Sequence, residues 1–133
     1  MWHGPNELGF DHSFIIPASL DMEPYLYLAN GVAVEQPTAW VEESPRPAYW
    51  RAGPKAPGFS HETCLLELTS HAESLTDGHA RSGNTEPFSL HFPQPSPHTP
   101  HVPRAPFQGT TPAGTYGDFV VEHDWSVGRI LAA

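Results

Sequence analysis

The chain has 133 residues, 38% of them hydrophobic, and its 16 prolines and 11 glycines make up about a fifth of the length. That is one domain's worth of polypeptide, lean in apolar side chains and close to the composition at which disorder becomes the default. Six basic residues against fifteen acidic give a formal charge of −9, which argues against non-specific nucleic-acid binding and against docking on an anionic membrane, since both need a basic face.

In chain order, Ser13–Ile16 is a short apolar run closed by Pro17. Tyr25–Val34 predicts a β-hairpin, because Asn30-Gly31 supplies the two positive-φ positions of a type I′ turn between β-forming flanks. Thirteen of the 16 prolines lie between Pro37 and Pro57 or between Pro87 and Pro112. Residues 37–58 show no period and predict an irregular excursion rich in proline and aromatics. A helix is expected from Ser60 as N-cap, with Glu62 in its first turn and Leu65, Leu68, Ala72 and Leu75 as one apolar stripe, fading at Asp77-Gly78. Phe88-Ser89-Leu90-His91-Phe92 alternates and predicts a half-buried strand. A proline ladder follows over 93–112. A second helix is expected from about Gly114 to Leu131, with Asp118, Glu122 and Asp124 as surface charges. The order predicts an α/β fold.

Two turns braced by proline attract attention as places for chemistry. His98 follows the alternating run, and residues just beyond strand ends are where ligands bind in open α/β sheets. Pro97 and Pro100 restrict the backbone on either side of it. Its alternative is a solvated loop histidine. Ser19, in Ile16-Pro17-Ala18-Ser19-Leu20-Asp21, offers a hydroxyl held by a turn, and its alternative is a purely local turn serine. His101 reads as surface, and the His98-x-x-His101 spacing lacks the further ligands a zinc site requires. Cys64 has no partner for an internal disulfide and leaves the redox compartment open. No apolar run approaches the roughly 18–20 residues of a membrane span, and the first residues carry no signal-peptide pattern.

The segments Ile16-Pro17-Ala18-Ser19-Leu20-Asp21-Met22-Glu23-Pro24-Tyr25 and Pro87–Pro103, with His98 followed by Thr99, resemble the sulfatase family, in the branch of arylsulfatases and N-acetylgalactosamine-6-sulfatases. Tyr116–Leu131 is similar to a helix of the same family. The resemblance implies a partial alkaline-phosphatase-like α/β fold. It implies that residues 1–133 form an internal section of the catalytic domain, with 93–112 as the active-site loop. It makes His98 a sulfate contact and candidate acid for the departing alcohol, and Ser19 a substrate-binding hydroxyl. Trp2-His3-Gly4 resembles the remnant of the family's Lys-Trp-His-Leu-Gly motif, which makes His3 a third substrate-binding candidate. Met1 stands in the lysine slot and the leucine is absent.

The family's formylglycine arises from Cys-x-Pro/Ala-x-Arg, whereas Cys64-Leu65-Leu66-Glu67-Leu68 has neither feature and reads as a packed thiol. The family's calcium ion is held by Asp-Asp and Asp-Asn pairs that do not occur here, so no residue of this chain is assigned to a metal. The implied function is sulfuric-ester hydrolysis by the intact enzyme on sulfate esters or sulfated saccharides, with this polypeptide inactive by itself. The family is often exported or periplasmic. A complementing chain, a truncated product that binds sulfate weakly, and a fragment without function are the alternatives.

Overall fold

The computed structural model describes residues 4–133. A short 3-10 turn, Pro5–Leu8, leads into β1 (Phe14–Ile15), which pairs antiparallel with β2 (Leu28–Ala29), itself antiparallel to β3 (Val32–Ala33). The hairpin forms where the sequence places it. Asn30 has φ 49° and Gly31 φ 79°, the left-handed values that a two-residue loop needs if its twist is to match the strands. Asn30 also ties the turn to β1: its backbone N–H donates to the Ser13 carbonyl, and its side-chain oxygen accepts the Ser13 N–H at 2.9 Å.

The 37–58 segment is more regular than expected. β4 (Ala39–Val41) and β5 (Gly53–Lys55) form a two-stranded antiparallel ribbon, with Trp40 opposite Pro54. Proline inside a strand masks the pattern, and on its other side β5 is bridged to Tyr25, whose N–H donates to the Pro54 carbonyl at 2.9 Å. Trp50 returns to the body, donating its indole N–H to the Glu42 carbonyl at 3.1 Å and stacking on His61 at 4.2 Å. Trp40 stays 62% exposed.

The first long helix, α1, runs from Cys64 to Arg81, and Thr63 is its N-cap, not Ser60. It continues through Asp77-Gly78, because one glycine costs a helix only about 1 kcal/mol and Arg81 reaches back to Asp77 at 3.1 Å. Leu65, Leu68 and Ala72 are buried as the stripe predicts. They join Leu20, Tyr25, Leu26, Ala56, Phe59, Cys64 and Phe119 in the core. The second, α2, spans Gly114–Ala132 and packs along α1. Between them the Thr69 and Ser126 hydroxyls, both fully buried, bond at 2.7 Å.

The predicted strand at Phe88–Phe92 is a correction. Residues 88–92 belong to no strand, and Phe88 and Leu90 are exposed. Alternation prepares a strand, but only a neighbour's N–H and C=O groups make one. None is within reach among the described residues.

Candidate functional site

The turn after β1 is closed by the Met22 N–H donating to the Ser19 carbonyl at 3.1 Å. Within it the Ser19 hydroxyl donates to Asp21 Oδ1, and the Asp21 N–H lies 3.4 Å from Ser19 Oγ. Asp21 is buried, and its own carbonyl accepts the Arg51 N–H at 3.1 Å. This turn therefore rests on the start of the ordered core at Leu20 and on the ribbon.

The proline-rich loop brings His98 to the same carboxylate. The His98 N–H donates to the Pro95 carbonyl at 3.1 Å, forming a tight turn. Its Nδ1 lies 2.7 Å from the Thr99 carbonyl and 3.8 Å from Asp21 Oδ1. A carbonyl only accepts, so Nδ1 carries the proton, and Nε2 is left as the outward-facing nitrogen. The ring is 60% exposed. Ser19 and His98, far apart in sequence, thus meet at one Asp21 oxygen and line the same groove of about 730 Å³. His3 lies outside the described residues.

Why the loop holds this shape is answered by α2, and here the surface-charge expectation fails. Asp118 and Glu122 are 3% and 0% exposed. The Asp118 carboxylate accepts the Gly109 N–H at 2.7 Å, the Thr111 N–H at 2.9 Å and the Thr110 hydroxyl at 3.3 Å. The backbone bond from Gly109 is the largest cause holding its carboxyl below the ordinary range. Glu122 accepts the Arg104 backbone N–H at 2.9 Å and the guanidinium Nε–H at 2.5 Å. His123 Nδ1 meets the buried Ser96 hydroxyl at 2.8 Å. Three α2 side chains thus fasten the loop at positions 96, 104 and 109–111. A proline-rich segment has few N–H groups of its own, and the helix supplies acceptors for those that remain. The spacing of Asp118, Glu122 and Ser126 at i, i+4, i+8 was a visible signal, since it places all three on one helix face. Asp124 is exposed, as expected.

His101 is half-buried rather than surface, its ring edge-on to Tyr116 at 5.2 Å. It turns to α2 while His98 turns to Asp21, so the two do not act as a ligand pair. Cys64 is fully buried, and burial pushes its thiol up to about 12, the opposite of what a reactive cysteine needs. Among the described residues no group of three or more His, Cys, Asp or Glu side chains is placed to hold a metal ion. The buried acids are taken by N–H donors, a hydroxyl and Arg104. A calcium ion with all-oxygen coordination does not fit these side chains.

No family model matches the chain. It is 28% identical over 160 residues to an N-acetylgalactosamine-6-O-sulfatase of Bacteroides thetaiotaomicron, covering 93% of this chain and 30% of that protein. It is 48% identical over 48 residues to arylsulfatase H of Homo sapiens, covering 36% of this chain and 8% of that one. Over 53 residues it is 43% identical to the steryl-sulfatase of Mus musculus, covering 40% and 8%. A solved structure concerned with the metabolism of multiple glycosaminoglycans by Bacteroides thetaiotaomicron superposes with TM-score 0.77 at 25% identity, over 97% of this chain and 33% of that one. The chain spans about 30% of the length of the first of these relatives. It carries a partial alkaline-phosphatase-like α/β fold and is similar to sulfatases over nearly its whole length.

Proposed function

We propose that this stretch of chain supplies the anion-holding wall of a sulfuric-ester hydrolase, with His98 facing the leaving-group oxygen and Ser19 donating to a sulfate oxygen. The observation that carries the reading is the meeting of these two side chains at Asp21 on the edge of one groove. A hydroxyl proton can rotate from the carboxylate to an incoming anion. With Nδ1–H held by Thr99, a protonated His98 presents Nε2–H outward as a charge-assisted donor and a source of the proton that an alkoxide must receive. The fixed loop matters because a donor aimed in advance costs no reorganisation when charge develops.

The same reading extends to turnover by the polypeptide unaided. Its one thiol is sealed in the core, and among the described residues no group of three or more His, Cys, Asp or Glu side chains is placed to hold a metal ion. We therefore expect binding without turnover, in the 133-residue chain as it stands. The test is calorimetric titration with inorganic sulfate, paired with absorbance assays on nitrophenyl sulfate, for the wild-type chain, His98→Ala and Ser19→Ala. Binding should be weak and should drop in both variants. Unchanged binding in the variants overturns the anion role. Hydrolysis well above the His98→Ala background overturns the non-catalytic half.

A further inference from the structure

Asp21 differs from the other buried acids of the molecule. Asp118 is met by two backbone N–H groups and a hydroxyl, and Glu122 by a backbone N–H and the Arg104 guanidinium. The Asp21 side chain is 11% exposed and accepts the Ser19 hydroxyl. Among the described residues it is paired with no Lys or Arg side chain. Arg51 meets the Asp21 carbonyl with its backbone N–H at 3.1 Å, and Lys55 gives its ammonium to the Phe59 carbonyl at 2.6 Å. Across the turn stands His98, whose Nδ1 lies 3.8 Å from the carboxylate but gives its proton to the Thr99 carbonyl.

A buried carboxylate with so little compensation is costly, and departures from complete pairing gather at functional sites. Its place is informative. The charge sits directly behind the Ser19 hydroxyl and the His98 ring, at the end of the groove where an anion would be held. None of the described residues lining that groove is Asp, Glu, Lys or Arg, so no permanent positive charge in the lining offsets it. Like charges repel in proportion to their product, and more strongly where water is excluded. An anion with two negative charges is therefore disfavoured here by twice the free energy of an anion with one.

Resting on the anion reading above, we infer that Asp21 is a specificity-determining residue: its uncompensated carboxylate filters anions by charge, admitting singly charged esters and disfavouring doubly charged anions. A sulfate monoester carries one negative charge, whereas the free sulfate left by its hydrolysis carries two. The filter thus weakens the hold on the product relative to the ester. Asp21 acts from behind Ser19 and His98, through its charge.

The test is a calorimetric titration of the full 133-residue chain and of Asp21→Asn with inorganic sulfate and methyl sulfate, at one pH and ionic strength. Asparagine keeps the size and an acceptor oxygen for the Ser19 hydroxyl while removing the charge. Sulfate should bind the variant about tenfold tighter than the wild-type chain, a gain of about 1.4 kcal/mol. Methyl sulfate should gain only about threefold, half of that on the free-energy scale. In the wild-type chain methyl sulfate should bind tighter than sulfate. Should Asp21→Asn lose its circular dichroism signal, Asp21→Ser gives the same comparison, and the wild-type order of the two ligands decides without any variant. His98→Ala should weaken both ligands. Equal changes for the two ligands on removing the Asp21 charge, or a loss for both, would mean that Asp21 only braces the turn. Either result overturns the inference, as does a wild-type chain that prefers sulfate, and the anion reading stands if His98→Ala still weakens binding. Indifference of both ligands to His98→Ala removes the anion reading and the inference together.

Discussion

With no exposed surface, the Glu122 carboxylate accepts two hydrogen bonds from Arg104, one from its backbone and one from its guanidinium. The guanidinium lies over the Trp125 ring at 4.5 Å and the Phe107 ring at 5.2 Å. Glu122→Ala leaves that cation and an amide without acceptors, and breaking one side of a buried pair costs about 3 kcal/mol. Urea unfolding should show a loss of that order, and a loss near zero would mean the loop is held by other contacts. His61 is a second informative residue. It is buried among Tyr25, Trp50 and Phe59, its Nε2 has no partner, and burial, with the nearby Lys55 charge, pushes it down to about 4 from 6.5. The fold favours neutral His61, while the unfolded chain takes up a proton below 6.5, so this stabilisation is present above pH 6.5 and is lost as pH falls toward 4. Chemical denaturation midpoints should drop across that window. In His61→Phe, which keeps an aromatic ring in the box, the drop should shrink. Neither residue announced its role in the sequence: a helix acid reads as solvated until its partner loop is placed, and a histidine reads as titratable until its neighbours are.

At the scale of elements, α1 and α2 are joined by a buried hydroxyl pair rather than by apolar contact alone. Thr69 Oγ1 donates to the Leu65 carbonyl at 2.6 Å, so the Ser126 hydroxyl donates to Thr69 at 2.7 Å. Ser126→Ala alone should cost about 1 kcal/mol, as should Thr69→Val, since each leaves one polar group in a dry interface. The double substitution should cost less than the sum, a coupling that a double-mutant cycle reads directly. Strict additivity would show that the pair does not couple the helices. The hairpin and both helices were legible from local rules, because an Asn-Gly turn and a 3.6-residue stripe act within a few residues. The ribbon of β4 and β5 was not, because its strands are three residues long and one contains Pro54. The alternating Phe88–Phe92 run misled for the opposite reason: its side-chain pattern is a strand's, but pairing is a property of two segments.

Across the whole molecule, Cys64 reports on global opening. Its thiol is fully buried and its acidity suppressed by burial, so a thiol reagent at mild alkaline pH should modify it only at the rate at which the core opens. Rapid modification of the folded chain would show that the core around Leu20, Tyr25, Phe59 and Phe119 is not closed in solution. That core is small and the chain is proline-rich, so two carboxylates, a histidine and a hydroxyl pair carry organisation that apolar packing alone would not. Sequence by itself determined the charge balance, the hairpin and the helices, because composition and short-range periodicity need no knowledge of what lies across the chain, and it offered Ser19 and His98 as candidates through the motifs that resemble those of sulfatases. Tertiary structure alone decided that Ser19 and His98 share Asp21, that Asp118 and Glu122 face inward to hold the loop, and that an uncharged groove opens beside them. These depend on which distant segments touch, and burial and hydrogen-bond partnership exist only once they do.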